Sequence, residues 1–283
     1  MMATKKITDI TVIPNAVPVS NSGRIDRYYK QHGYYRSNPQ KIVPTAKTPN
    51  EQLINVLTQY KWRGTEFGNW ASQNERNTFV VAFIESCQHM RQLLEFKQLG
   101  MEHIIGVAYG ARGIGGKAAA HFEPGTFMIN LTKQNGFGSF AHEYGHALDY
   151  FFGTYIEQLP DTRALSFGVT TKKEVYETGF GNLRKQLNNL LNAIIQDKKG
   201  ELSESYKRWQ KYAISAYWLR RNEIFARWFE QYIHYLLNAK GIKNTFLSKE
   251  KYDGVFYLTP ADFKRVLPLG NKLMADMKRR VNT

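Results

Sequence analysis

The stretch GFGSFAHEYGHALDYFFG, residues 136–153, decides how the rest of the chain is interpreted. It contains an H-E-x-x-H pattern at His142, Glu143 and His146. Residues four apart share one face of an α-helix, so the two imidazoles are placed to bind one zinc ion (Zn2+). Glu143 then lies beside them, facing the bound water. Because apolar residues flank the motif, the sequence predicts a buried helix that carries a metal site.

The composition of the chain bounds the class of protein. Its 283 residues, of which 42% are hydrophobic, are enough for one large domain or two small ones. No apolar run approaches the roughly 18 residues of a membrane-spanning helix, and the N-terminus lacks the pattern of a signal peptide. The single cysteine, Cys87, cannot form an internal disulfide and is expected to pack as a small buried hydrophobe. These features favour the cytoplasm of a cell, or delivery into one.

Positive charge is concentrated at the two ends of the chain, whose formal net charge is +15. Residues 1–47 carry eight basic and two acidic groups, and residues 240–283 carry ten and four. Basic ends on a nearly neutral middle are candidates for contact with nucleic acid. The alternative is a solvated surface that keeps the protein soluble, since no aromatic-interleaved recognition motif is visible.

The periodicity of apolar residues predicts a largely helical chain. In the motif helix, Ser139 is expected at the N-cap and Gly153 just after the last turn. The other predicted helices run from 48 to about 60, from 72 to 96, from 181 to about 196, briefly from 203, from 213 to 239, briefly from 259, and finally to 281.

Strands are expected at residues 103–111 and 126–131, with a strand or hairpin near 255–257. The strand at 126–131 precedes the motif helix, and we expect it at the edge of a sheet beside the cleft, where an extended peptide adds as a further strand. The remaining segments are interpreted as a turn at 61–70, a glycine-rich loop near the site at 110–120 and an irregular insertion at 154–179.

Two histidines do not complete a catalytic zinc site, which takes three protein ligands and leaves one position for water. No third histidine follows His146 at the metzincin spacing, so a carboxylate must close the set. Asp149 shares the face of His142 but is too near in sequence to complete the tripod comfortably, and we expect it to orient a histidine instead. Glu157, in the loop beyond the helix, is another candidate.

The later helical segment offers two further carboxylates, Glu223 and Glu230. Zincins with a glutamate ligand take it from a second helix packed against the first, often followed by a small residue. Glu223, with Ala226 three positions on, fits that pattern best. Glu230 is expected to have little part in metal binding. The alternative for Glu223 is an i,i+4 ion pair with Arg227.

Three stretches of the chain resemble the zincin-like domain found in the large polyvalent proteins of phages and conjugative elements. They are WRGTEFGNW at 62–70, the run from GARGIGGKAAAHFEP to MINLTKQNGFGSFAHEYGHALDY at 110–150, and NEIFARWFEQYI at 222–233. The resemblance covers about residues 61–233.

The resemblance implies a metallopeptidase-like fold of the gluzincin type, in which a distant glutamate follows the HExxH motif. On this basis His142 and His146 are metal ligands, Glu143 is the base and Glu223 is the third ligand. Members of the family are often embedded in much larger multidomain chains, so a chain of this length is expected to be a stand-alone version.

The expected fold class is α+β: a mainly helical zincin-like fold, with a small mixed β-sheet beside the HExxH helix and a C-terminal helical part. Residues 1–47 are expected to form a basic, partly disordered arm. Residues 48–239 are expected to form the zincin-like metallopeptidase domain, and residues 240–283 a basic extension packed on it.

The predicted function is hydrolysis of peptide bonds by a zinc metallopeptidase of a phage or mobile element, acting on a protein or peptide in the bacterial cytoplasm. Zinc would polarise the scissile carbonyl and lower the pKa of its water towards about 7, while Glu143 carries the proton. Tyr217 and His121 are the candidate donors to the oxyanion. The alternative is a non-catalytic, zinc-stabilised protein that binds DNA or a host protein. The intact Glu143 argues against it, because a structural zinc site does not need that carboxylate.

Overall fold

The computed structural model describes residues 11–12, 49–112, 119–133, 135–156, 164–167, 181–213, 215–252 and 254–283. The helices are α1 (Pro49–Gln59), α2 (Gln73–Leu94), α3 (Phe140–Phe151), α4 (Gly181–Ile195), α5 (Glu204–Tyr212), α6 (Arg221–Ala239) and α7 (Pro260–Asn282). The strands are β1 (Thr11–Val12), β2 (Gly64–Phe67), β3 (Gly106–Tyr109), β4 (Ala120–Glu123) and β5 (Met128–Leu131). The predicted α+β class is confirmed, with helices predominating and one small mixed sheet.

The described part of the sheet has the strand order β1-β2-β3-β5-β4. Every pairing is parallel except that of β4 with β5, which is antiparallel. The prediction that the strand before the motif helix lies at the edge is therefore wrong, because β4 lies outside β5. The burial pattern explains the order: all four residues of β5 are buried, as suits an inner strand, whereas those of β4 are half-buried.

Two predictions about strands are corrected by tertiary pairing. Residues 61–70, interpreted as a turn, contain β2, which is held between β1 and β3. The strand or hairpin expected near 255–257 is absent, since these residues form a turn. Their aromatic side chains are used in other contacts: the Phe256 ring stacks on Trp218, with centroids 4.2 Å apart.

Helix α3 begins as predicted but ends differently. Ser139 is its N-cap residue, although its side chain makes no capping hydrogen bond. Gly153 does not end it, because the chain continues as a π-helix over Phe152–Ile156, where the Phe152 N–H reaches both Asp149 O and Leu148 O. The glycine that matters for packing is Gly145, because a Cβ there would lie only 3.2 Å from Ala226 Cα on α6. Helices α3 and α6 therefore cross in close contact, and this crossing positions the site.

Helix α2 confirms its prediction closely, since Ser72 caps it in a capping box with Glu75. Other helices differ from theirs. The segment 213–239 is not one helix, because Arg220 is extended between a 3-10 turn at Ala216–Leu219 and α6. The two helices expected after residue 259 are one, α7, which packs against α4.

Several predictions lie outside the described residues. They concern most of the arm at 1–47, most of the glycine-rich loop, Glu157 and most of the insertion at 154–179. Cys87 is fully buried, as predicted. None of the helices in the described ranges is long and apolar enough to cross a membrane.

Candidate metal centre

Three predicted ligands converge where α3 crosses α6. His142 and His146 lie one turn apart on α3, and Glu223 lies in the first turn of α6. The Nε2 atom of His142 is 3.6 Å from Glu223 Oε2, and that of His146 is 3.3 Å from Glu223 Oε1. His146 and Glu223 are buried and His142 is half-buried. One donor atom from each side chain lies within 4.8 Å of the other two.

The spacing of these donor atoms fits a zinc ion. Zinc bonds to nitrogen and oxygen are about 2.0–2.1 Å long, so neighbouring ligand atoms of a tetrahedral site are roughly 3.4 Å apart. The observed separations of 3.3 and 3.6 Å between histidine nitrogens and glutamate oxygens lie on either side of that value. Two imidazoles and one carboxylate are also ligands that zinc prefers, and a catalytic zinc with three protein ligands keeps its fourth position for water.

Glu230 orients His142, a role that the sequence analysis did not give it. Its Oε2 lies 3.2 Å from His142 Nδ1, so the ring donates Nδ1–H to the carboxylate and directs Nε2 towards Glu223. Tyr252 and Tyr257 donate their hydroxyls to Glu230, at 2.9 and 3.2 Å. The sequence analysis expected Glu230 to have little part in metal binding, whereas the structure places its carboxylate against the predicted ligand His142.

Asp149, predicted to orient a histidine, instead accepts a hydrogen bond from the backbone of Ser166. Its Oδ1 accepts the backbone N–H of Ser166 at 2.8 Å, and its Oδ2 has no hydrogen-bond partner. No hydrogen bond joins it to His142 or His146 in the described structure. Burial raises the pKa of Asp149 to about 6, although the Ser166 bond and the nearby His146 act in the opposite direction.

The carboxylates of the site differ in their electrostatics. Burial raises the pKa of Glu223, but the neighbouring His142, His146 and Tyr217 outweigh that effect and hold the pKa well below its ordinary value. Burial raises the pKa of Glu143, and the two nearby histidines offset only part of that effect. Glu223 is thus held as an anion suited to a cation, whereas Glu143 is displaced towards a proton-accepting role.

A cleft of about 360 Å³ opens onto these groups. Glu143 and Tyr217 both line it, and the Tyr217 hydroxyl is close enough to Glu223 to lower the pKa of that carboxylate. His121, the other candidate donor to an oxyanion, does not line the cleft, and its ring contacts Glu123 at 3.3 Å. The cleft is further lined by Ala119 and Ala120 at the start of β4.

The alternative interpretation of Glu223 does not apply to the described residues. Arg227 makes no ion pair with Glu223 there and donates from Nη2 to the Trp218 carbonyl. A sequence signal for Glu230 existed, since it follows Glu223 by seven residues, two turns along the same face. No comparable signal marked Tyr252 or Tyr257, because a turn outside any regular element brings them to the site.

One family model matches residues 209–281 of the chain, and the family is described as Large polyvalent protein-associated domain 1. The match links the chain to large polyvalent proteins. The matched residues include Glu223, Arg227 and Glu230 on α6 but not the histidines of α3. No curated protein and no solved structure matches the chain.

Proposed function

We propose that the chain is a zinc metallopeptidase of the gluzincin type, belonging to a phage or mobile element. One observation carries the proposal: His142, His146 and Glu223 offer their donor atoms at the spacing of a tetrahedral zinc site. Glu143 faces the same cleft. The match to a domain of large polyvalent proteins supports the proposed origin.

The residues around the cleft divide the chemistry between them. Zinc, when bound, supplies Lewis acidity that polarises a carbonyl and lowers the pKa of water. Glu143 takes a proton from the attacking water and delivers it to the leaving amine, and its raised pKa suits both steps. Tyr217 is placed to donate its hydroxyl to the developing oxyanion, since it lines the cleft beside Glu223. Glu230 keeps the His142 ring fixed while this happens.

The sheet edge offers a place for an extended substrate. β4 is the outermost strand on its side of the described sheet, and Ala119 and Ala120 line the cleft. An extended peptide that pairs with β4 adds a strand beside Glu143 and satisfies the backbone groups of that edge. The substrate of the proposed reaction is therefore a protein or peptide in extended conformation.

The substitution Glu143→Gln tests the proposal. It should preserve zinc content and fold but lower peptide hydrolysis by several powers of ten, because the amide cannot carry the proton. Zinc is measured by elemental analysis and turnover by a proteome-derived peptide screen. Glu204→Gln is the control, since that side chain is 76% exposed. Wild-type turnover in Glu143→Gln would end the peptidase proposal.

Glu223→Ala tests the ligand set independently of turnover. Removing one of three protein ligands should weaken zinc affinity strongly and abolish hydrolysis, since two histidines do not hold a catalytic zinc. Chelator competition measures the affinity. Unchanged zinc affinity would show that another carboxylate closes the site.

A further inference from the structure

Arg227 holds a buried positive charge in the cleft without a carboxylate partner. It lies on α6 one turn after Glu223, is 3% exposed and contributes to the lining of the cleft. Its Nη2 donates to the Trp218 carbonyl, while Nε and Nη1 have no hydrogen-bond partner. No carboxylate oxygen of the described residues lies within ion-pairing distance. A buried cation with two unpaired nitrogen atoms is costly to keep unless a ligand accepts hydrogen bonds from them.

Aromatic rings hold the guanidinium in one orientation. Its centre lies 5.0 Å from the ring of Trp209 and 5.9 Å from the rings of Trp218 and Phe256. The rings of Trp218 and Phe256 are themselves stacked. These contacts stabilise the charge and exclude water, so a hydrogen bond from Nε or Nη1 to an anion would form in a medium of low dielectric constant.

The position of Arg227 on α6 gives its approximate distance from the predicted metal ligand Glu223. Glu223, Arg227 and Glu230 recur at helical spacing and all line the cleft. Four residues of helix rise by about 6 Å, and an extended peptide advances by roughly 3.3–3.6 Å per residue. A group bound by Arg227 therefore lies one or two residues from the scissile bond.

The charge of the cleft favours an anion there. Three carboxylates, those of Glu143, Glu223 and Glu230, line it together with the cations Arg227 and Lys249. With a divalent zinc ion in place, positive charges exceed negative ones by one. Lys249 already contacts the Tyr257 hydroxyl and lies 3.8 Å from Glu230. Arg227 is the cation that remains without such a partner.

We propose that Arg227 binds a carboxylate of the substrate, one or two residues from the scissile bond. The carboxylate belongs either to the C-terminus of the peptide or to an Asp or Glu side chain, and the guanidinium donates to it from Nη1. This site rests on the proposed peptidase function, because it deepens the specificity of the same cleft.

Binding to a protein that cannot turn over provides the test. The zinc-loaded Glu143→Gln protein is titrated by calorimetry with three short alanine-rich peptides of one sequence. The first ends in a free carboxylate, the second in an amide, and the third in an amide with Glu replacing an internal Gln. One of the two carboxylate peptides should bind about 10–100-fold more tightly than the neutral one, and its identity names the source of the carboxylate.

The same titration on the double variant Glu143→Gln, Arg227→Gln should give equal affinity for all three peptides. Arg227→Lys in that background should restore only part of the preference, since a compact ammonium keeps the charge but lacks the planar, fixed donors of a guanidinium. Arg221→Gln is the matched control on the same helix. Its guanidinium bonds the Ser166 carbonyl and Asn188, so the preference should be unchanged. Circular dichroism checks the fold, and Arg227→Lys replaces Arg227→Gln if the latter does not fold.

Equal binding of the three peptides before Arg227 is changed would overturn the proposal, and so would a preference that survives Arg227→Gln. Failure to bind any of them would overturn it as well. A different result is expected if only the peptidase proposal is wrong. In that case the carboxylate preference and its loss in Arg227→Gln persist, but the protein with Glu143 intact cleaves none of the peptides.

Discussion

Asp149 on α3 and Glu230 on α6 are two buried carboxylates with different sets of hydrogen-bond donors. Glu230 is 1% exposed and Asp149 is fully buried. The pKa of Glu230 is lowered, although burial alone would raise it, whereas the pKa of Asp149 is raised to about 6. Nearly equal burial has therefore not shifted the two pKa values in the same direction.

The difference lies in the number of partners. Glu230 receives hydrogen bonds from the His142 ring and from the hydroxyls of Tyr252 and Tyr257. Asp149 receives one, from the Ser166 backbone, and leaves its second oxygen without a partner. A buried anion is stabilised only when donors replace the water it has lost. The comparison teaches that nearness to the metal motif in sequence is a poor guide to which carboxylate serves the metal.

The largest expected effect concerns the pH dependence of stability at Asp149, measured on metal-free protein. Its folded pKa of about 6 exceeds the unfolded value near 3.9, so the folded state binds more protons between these values. This group therefore lowers the free energy of unfolding as pH rises from 4 to 7, by up to about 3 kcal/mol. Asp149→Asn should remove that fall, as measured by urea unfolding at several pH values.

Asp262→Asn is the matched control for this measurement. Hydrogen bonds with Ser205 and Arg265 outweigh burial and lower the pKa of Asp262. Its contribution is present above the unfolded pKa and is lost as pH falls, so its substitution should change the slope in the opposite sense. The same change of slope for both aspartates would remove the physical basis of the comparison.

The next largest effect concerns zinc affinity, which should depend on Glu230 much more than on Asp149. Glu230→Gln should weaken zinc binding by about 10–100-fold, because a neutral amide holds the His142 ring less firmly and makes it a weaker ligand. Asp149→Asn should leave zinc affinity within about threefold, since Asp149 touches neither histidine. Chelator competition measures the zinc affinity of both variants. If Asp149→Asn is the weaker binder, the assignment of the two roles is reversed.

The smallest effect concerns the tyrosines that hold Glu230. Tyr252→Phe and Tyr257→Phe each remove one hydrogen bond, worth about 0.5–1.5 kcal/mol. Zinc affinity should fall by no more than about tenfold in either variant. Tyr235→Phe is the control, because that side chain is 42% exposed and, in the part of the chain that the structure describes, packs on Phe263 and makes no hydrogen bond to Glu230. Unchanged affinity in both tyrosine variants would show that His142 alone fixes Glu230.

Much of the fold was predictable because its signals are local. Apolar residues at helical spacing predicted both α2, expected over residues 72–96, and α4. The short strand β2 was not predictable, since its four residues are held by their neighbours on both sides. The order of β4 and β5 likewise depends on pairing that no local pattern encodes.

The sequence by itself determined that His142, Glu143 and His146 share one helix, because four-residue spacing fixes a common face. It also indicated Glu223 as the carboxylate that joins them. Only the tertiary structure decided that Glu230 rather than Asp149 contacts His142, because that contact depends on how α3 and α6 cross at Gly145. Helical periodicity specifies which residues of one helix face the same way. The distance between two helices and the turn at residues 254–257 are set by packing across the whole domain.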